Sequence, residues 1–148
     1  MKISRSIGYA VQATLDLAKA DRTVPIPCSQ LAARGKMPHR FLLQILRRLV
    51  ANGVVCSTKG VAGGYSLARA PQQITLLQVV ESLGNPFDPQ LPEIPGVSAS
   101  ARAQLLASLE RTTAIVRVQL HKLTLADLVD GRGLSSDWPH KESVATLN

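Results

Sequence analysis

Hydrophobic and polar positions alternate with helical spacing near the start of the chain. The spacing predicts a first helix over about residues 4–20, capped by Ser4 or Ser6, with an apolar stripe made of Ile7, Ala10, Val11, Thr14, Leu15 and Ala18. The prolines of segment 24–27 end this pattern, because a proline disfavours the helical conformation in the residue before it. A short second helix then covers about residues 28–34, and Gly35 is expected to end it in the left-handed conformation.

A third helix is predicted to open at Met37-Pro38 and to continue to Asn52-Gly53. Its buried stripe is expected to consist of Phe41, Leu42, Ile45 and Leu49. The second helix, a tight turn and this third helix have the spacing of a helix-turn-helix. Two β-like segments, 54–57 and 65–67, then flank a glycine-rich turn, which predicts a hairpin, or wing, with Lys59 and Gly60 at its tip.

The second half of the chain begins with a fourth helix, capped by Thr75. Residues 84–98 contain four prolines and two glycines and are predicted to form a loop. A long helix over about 98–123 and a short helical segment over 124–129 follow. The long helix has an apolar seam that needs a partner surface, either a second copy or its own domain: Ala101, Leu105, Leu109, Thr112, Val116, Leu120 and Leu123.

These segments predict a mainly α fold with a small β-wing. We expect a winged helix-turn-helix DNA-binding domain over 1–83 and a proline-rich linker over 84–97. A dimerisation helix region over 98–131 and a flexible tail over 132–148 would complete the chain.

Charge is distributed unevenly over the 148 residues, whose net charge is +7. Residues 1–83 have 11 basic and 3 acidic side chains (+8), whereas residues 84–148 have 6 basic and 7 acidic (−1). This asymmetry favours a polyanion-binding module joined to a near-neutral one. No run approaches the length of a membrane span and no signal peptide is evident, which predicts a cytoplasmic protein without membrane contact.

The third helix and the wing carry the candidate DNA contacts. The first turns of such a helix face base edges, where Arg40 can pair with guanine and Gln44 with adenine, beside His39. Arg47 and Arg48 lie further along and are interpreted as phosphate contacts or as solvated charges. Each basic residue alone could be an ordinary surface charge; the arrangement as a whole is what favours double-stranded DNA as the partner.

Other chemistry finds little support in the sequence. The three histidines are dispersed, no catalytic constellation or metal motif is evident, and Gly60-Val61-Ala62-Gly63-Gly64 lacks the phosphate-loop pattern. We therefore predict no enzyme activity, no metal site and no cofactor. Cys28, in the first turn of the second helix, could be a redox switch with a lowered pKa, although a small buried apolar side chain is the commoner role. Cys56 on the wing is interpreted as structural.

Several motifs together resemble the Rrf-two family of bacterial winged-helix regulators (the IscR/NsrR/CymR type). The resemblance runs from Met1 to about Leu83, with weaker support from segment 124–128. It depends on Lys2-Ile3-Ser4-Arg5, Phe41-Leu42-Leu43-Gln44-Ile45-Leu46, Gly60 with Gly63-Gly64-Tyr65-Ser66-Leu67-Ala68-Arg69, and Pro71 with Ile74-Thr75-Leu76.

The resemblance implies a homodimer whose long helices cross between subunits, a palindromic operator, usually repression, and often a bound sensor. The family's base-reading positions correspond to Arg40, Phe41 and Gln44, and its wing-tip pair corresponds to Lys59-Gly60.

Two departures from the family pattern alter this expectation. Leu43 stands where many members have Glu, which should change the operator. Cluster-binding members have three cysteines between the wing domain and the dimer helix, whereas residues 84–98 of this chain have none. Some members also use an acidic ligand near the start of the chain, and the corresponding residue here is Gly8. An iron–sulfur cluster held by thiolates is therefore not expected. The signal could instead be a metabolite, a partner protein or oxidation of Cys28. The leading alternative function is a winged-helix module that binds another protein.

Overall fold

The computed structural model describes residues 4–132, and within them the chain is mainly helical with one small sheet. The elements are α1 (Arg5–Ala18), α2 (Cys28–Gly35), α3 (His39–Ala51), β1 (Val55–Thr58), β2 (Gly64–Leu67), a 3-10 turn (Pro71–Gln73), α4 (Leu76–Glu81), α5 (Ala99–Lys122) and α6 (Leu125–Asp130). β1 and β2 pair antiparallel. The predicted fold class, a winged helix-turn-helix followed by a long helix, is confirmed. Apart from Arg132, the predicted tail lies outside the described residues.

α1 is the central helix of the core, and its buried face is rotated from the predicted stripe. Ala13 and Leu17 are fully enclosed, whereas Val11 and Leu15 are only half-buried. The rotation arises because α1 packs against α3, α4 and α6 together, which no periodicity within one helix reveals. Thr14 is buried among these side chains, and its hydroxyl donates a 2.9 Å hydrogen bond to the Ala10 carbonyl.

The turn after α2 also differs from its prediction. Gly35 is the last helical residue, and Lys36, with φ of 49°, takes the left-handed conformation instead. A Cβ added at Gly35 would overlap the buried Met37 side chain. A larger residue at this position would therefore displace the end of the Met37 side chain, whereas the backbone angle alone does not call for glycine.

Side-chain caps fix the start of several helices. Ser4 and Ser98 accept hydrogen bonds from the third residues of α1 and α5, as an N-cap does. Thr75, as predicted, caps α4, and Gln78 completes a capping box there. Thr124 forms the same kind of box with Asp127 at α6, and hydrogen bonds from Thr124 lower the pKa of the Asp127 carboxyl.

After α5 the chain returns to the hydrophobic core formed by α1 and α3. Leu76 N donates to Leu123 O at 2.7 Å, and Leu125 N donates to Ile74 O at 2.9 Å. Leu125 is fully buried in the same cluster as the α1 and α3 side chains. The region boundaries expected from the sequence stay a prediction, but α6 packs on the helices of the first 83 residues. None of the helices described in residues 4–132 is both long and apolar enough for a membrane span.

Candidate nucleic-acid interface

The turn between α2 and α3 holds the second helix of the pair in place. Met37 is only 6% exposed, and its backbone N–H donates to Ala32 O at 2.9 Å. Pro38 follows as the N-cap of α3 in an extended conformation. Leu42 then buries fully against the same core. The turn therefore anchors α3 at its first helical turn, where a helix of this kind would meet base edges.

One side of α3 is buried and another presents polar residues. The buried side consists of Leu42, Ile45, Leu46 and Leu49. Arg40, Gln44 and Arg47 are exposed and lie within about 60° of one another around the helix axis. His39, the first residue of α3, is exposed as well. The structure therefore brings together three of the predicted base-reading or phosphate-contacting side chains in one row.

Phe41 lies outside the buried stripe, so its predicted burial was wrong. Its side chain is 36% exposed, and its ring packs edge-on against Tyr9 of α1, with ring centroids 5.8 Å apart and an interplanar angle of 78°. The ring lies at the edge of the α1–α3 contact, where α1 covers only part of it. Its position at the start of α3 is nevertheless close to Gln44, because both side chains line one cleft of mixed polar and apolar residues.

Arg48 lies about 40° from Gln44 around the helix axis and lines the same cleft, but its side chain is hydrogen-bonded within the protein. Its guanidinium donates a 2.8 Å hydrogen bond to Leu83 O at the end of α4. Sequence reasoning missed this contact, because its partner lies 35 positions away and is a backbone carbonyl. Arg48 thus has a role within the protein, whereas its predicted DNA contact is untested.

The wing projects from the same domain with a defined register. Val55 pairs with Leu67, and Thr58 pairs with Gly64 at the distal end. Lys59 and Gly60 are exposed in the turn, and Gly60 has a φ of 110°, a conformation that favours glycine. The tip of the hairpin therefore presents the Lys59 side chain next to the exposed backbone of Gly60.

The outer half of the wing is tied to the α1–α2 connection. Ile26 and Tyr65 exchange two backbone hydrogen bonds of 2.9 Å each, which extends the sheet by one bridge. Gly64 permits this approach, because a Cβ there would lie about 2.5 Å from the Ile26 backbone. The wing is therefore held from both sides of β2.

The electrostatics of this surface are one-sided. From Arg22 to Val80 the sequence contains eight Lys or Arg and no Asp or Glu. Arg40, Arg47 and Lys59 are all exposed. A surface of this composition attracts phosphate groups and gives binding that weakens with salt.

Cys28 does not have the environment of an activated thiol. Burial raises the pKa of the Cys28 thiol, and its side chain packs against the hydrophobic core. The pKa of neighbouring Tyr65 is also raised, chiefly by burial and in part by Cys28, while Arg47 acts in the opposite direction. The environment therefore favours the second interpretation of Cys28, a small apolar side chain. Cys56 is exposed on β1, with its Sγ 3.1 Å from Ser66 Oγ.

The loop between α4 and α5 does not fit an iron–sulfur cluster. Cysteine and histidine are both missing from residues 84–98, whose carboxylates are Asp88 and Glu93. Among residues 4–132, no three His, Cys, Asp or Glu side chains come together as potential metal ligands. The donor set that such clusters require, chiefly cysteine thiolates, is not available in this loop.

Comparison with known proteins identifies the family to which the chain is similar. The Rrf2 family, described as iron-dependent transcriptional regulators, matches residues 3–131. A helix-turn-helix transcriptional regulator of Synechocystis is 34% identical over 129 residues, which cover 86% of this chain and 87% of that protein. The regulator IscR of Cronobacter sakazakii is 28% identical over 150 residues, covering 97% and 90%.

Solved structures show the same fold. A transcriptional regulator from Listeria innocua matches with a TM-score of 0.72 at 28% identity, over 94% of this chain and 92% of that one. CymR, the global cysteine regulator of Bacillus subtilis, matches with a TM-score of 0.68 at 24% identity, over 88% and 98%. The chain belongs to the Rrf2 family: it is a helix-turn-helix transcriptional regulator and not an enzyme.

Proposed function

We propose that the chain acts as a homodimeric repressor that binds a palindromic operator without an iron–sulfur cluster. In this proposal α3 enters the major groove and the wing tip contacts the neighbouring backbone. The observation that carries the proposal is the row of Arg40, Gln44 and Arg47 on the exposed side of α3. Arg and Gln are the side chains that pair with guanine and adenine edges there.

The long helix supports the dimer. None of the 24 residues of α5 is buried, although Leu105, Leu109, Ile115 and Val118 are large and apolar and are between 37% and 63% exposed. Exposed apolar side chains on one helix indicate an interaction surface. A two-fold dimer would place two copies of α3 in successive major grooves, which is why we propose a palindromic operator.

The cluster-free state is supported by the ligand chemistry of residues 84–98, which lack cysteine. Signals that act through thiolate-bound iron would then be replaced by another effector. Anaerobic purification followed by iron and sulfide reconstitution tests this directly. Stoichiometric iron and the visible absorption of a cluster would contradict the proposal.

Selection of bound duplexes from a random pool tests the DNA-binding part. We expect a two-fold symmetric consensus, bound by two protein chains as judged from sedimentation of the complex. Transcription in vitro from a promoter containing that consensus should fall as protein is added. A pool without enrichment, with no salt-dependent retention on DNA, would instead favour a protein-interaction module.

A further inference from the structure

A largely apolar cleft lies between α1, α4, α5 and α6. Its volume of about 440 Å³ is within the range of small-molecule sites, roughly 300–1,000 Å³. All four helices and the linker residue Phe87 contribute to the lining, chiefly through Ile7, Val11, Val80, Val116 and Leu120.

Gly8 keeps one side of the cleft open. It lies inside α1, where glycine is destabilising relative to alanine. A Cβ added there would have no neighbour within 4 Å, and its backbone has no positive φ. Packing and backbone geometry within the described residues thus give no reason for a glycine, and its effect is to leave space.

A single polar side chain, Gln12, accompanies the apolar lining among the described residues. Its Nε2 donates a 3.1 Å hydrogen bond to Asp16 Oδ1, which leaves the Gln12 amide oxygen as an acceptor. Asp16 Oδ2 is inaccessible and has no hydrogen-bond partner among residues 4–132. Among residues 4–132, no basic side chain lines the cleft to receive a carboxylate.

We infer that this cleft binds a neutral, largely apolar small molecule that donates one hydrogen bond to the Gln12 amide oxygen. Part of the apolar surface expected for a second copy lies outside the cleft. Leu105 and Leu109 are on the same side of α5 as Val116 and Leu120, but they lie about two to four turns nearer the start of that helix. Ile115 and Val118 are on another side of that helix. A second copy can therefore use its own surface and leave the cleft free.

Calorimetric titration of the full chain with 1-octanol and with octanoate, in the absence of DNA, tests the inference. The two probes share a chain and differ in the head group. We expect saturable binding of 1-octanol and at least tenfold weaker binding of octanoate. Absence of saturable octanol binding, or equal affinity for both probes, would overturn the inference.

Two variants locate the site. Gly8→Leu should fill the cleft and weaken octanol binding at least tenfold, whereas Gly8→Ala, which gives the same gain in helix propensity with little added volume, should stay within about threefold. Gln12→Leu removes the acceptor and should weaken octanol binding by about three- to tenfold. Circular dichroism verifies folding, and if Gly8→Leu does not fold, Gln12→Leu decides.

A second copy of the chain in the cleft would give a different result from a bound small molecule. If a second copy fills the cleft, Gly8→Leu would change the sedimentation coefficient of the free protein and octanol would not bind, which overturns the inference. Because the titration contains no DNA, its failure leaves the proposed operator binding untouched, and failure of operator binding leaves the cleft untouched.

Discussion

The Arg48 guanidinium donates a 2.8 Å hydrogen bond to the carbonyl oxygen of Leu83 and so joins α3 to the residues that follow α4. Asn52, one turn further along, donates to Arg48 O at 2.8 Å and to Ser82 O at 3.5 Å. Ser82 and Leu83 follow the last turn of α4, where carbonyl groups have no partner within the helix, and these two side chains donate to them. Residues 84–98 begin at this junction, so the position of α3 and the start of the linker are mechanically connected.

Replacing Arg48 with Met should therefore act on stability rather than on phosphate binding. Arg48→Met keeps the aliphatic stem but removes the donor, and we expect the free energy of unfolding to fall by about 1 kcal/mol, a reduced value because the contact is exposed. Urea unfolding measures this change. Arg47→Met is the control, since it should leave stability unaltered and reduce the salt dependence of DNA binding. The reverse outcome for Arg48 would restore its interpretation as a phosphate contact.

Gln44→Ala and Arg40→Ala should each relax sequence preference. Loss of a base-edge contact costs about 1–3 kcal/mol, which corresponds to roughly 5- to 150-fold weaker binding of the selected operator. Affinity for random duplex should change far less for Gln44→Ala, because Gln44 is uncharged. Fluorescence anisotropy with both duplexes measures the ratio. Lys122→Ala, an exposed charge deletion at the end of α5, is the control for the loss of one positive charge.

Lys59→Ala should weaken binding to operator and random duplex alike. A lysine that contacts one phosphate contributes about 0.9 to the slope of log affinity against log salt. We therefore expect the slope to become shallower by about 1, with an unchanged ratio between the two duplexes. Titrations at several salt concentrations provide the slope. A change in the duplex ratio at constant slope would place Lys59 on a base edge instead.

Leu105→Asp should separate the proposed dimer. The side chain is 45% exposed in the single chain, so the substitution costs little within it, but burial of an unpaired carboxylate in an interface is unfavourable. Sedimentation equilibrium should show a monomer that binds a half-site more weakly than the parent binds the full palindrome. Ala107→Asp, about 160° away around α5, is the matched control. A dimer that persists in Leu105→Asp would indicate another interface.

Cysteine alkylation should distinguish the two thiols by pH. Because burial raises the pKa of Cys28, its reactive thiolate is scarce at neutral pH and becomes abundant only at a higher pH than an unburied thiol requires. Iodoacetamide at neutral pH should modify exposed Cys56 first, and Cys28 should follow as the pH rises. Mass spectrometry of timed samples measures the modification of both sites. The Cys28→Ser and Cys56→Ser variants each remove one thiol and so show which cysteine a given modification belongs to. Preferential modification of Cys28 at neutral pH would revive the redox switch.

The same raised pKa gives a stability prediction of defined sign. Folding favours the protonated Cys28 thiol, so an unfolded chain ionises at lower pH than the folded one. Stability should therefore decline as the pH rises through the unfolded thiol pKa, and the Cys28→Ser variant should decline less.

Local sequence signals predicted what depends on neighbours along the chain. Ser4 and Thr75 could be identified as caps because a cap satisfies N–H groups two or three residues away. The wing followed from alternation around a glycine-rich turn. These features need no knowledge of the rest of the fold.

Contacts between distant segments were beyond the reach of such signals. Phe41 has the spacing of a buried residue, yet its exposure depends on how far α1 extends over α3. The bond from Arg48 to Leu83 O joins a side chain to a carbonyl that any residue type would provide. Burial of Ala13 and Leu17 depends on three helices that surround α1, and none of them is encoded in the periodicity of α1.

The backbone bridge between Ile26 and Tyr65 has a consequence for the operator itself. Because β2 pairs with β1 on one side and with Ile26 on the other, we expect the distance between the lysine at the hairpin tip and the arginine–glutamine row on α3 to vary little. If this distance is constant, base substitutions within a half-site keep both DNA contacts in place, whereas an inserted base pair moves them apart. We therefore expect that one base pair inserted between the site contacted by α3 and the site contacted by Lys59 reduces affinity for the operator. This loss should exceed that of any single base change at positions that Arg40, Gln44 and Arg47 do not contact.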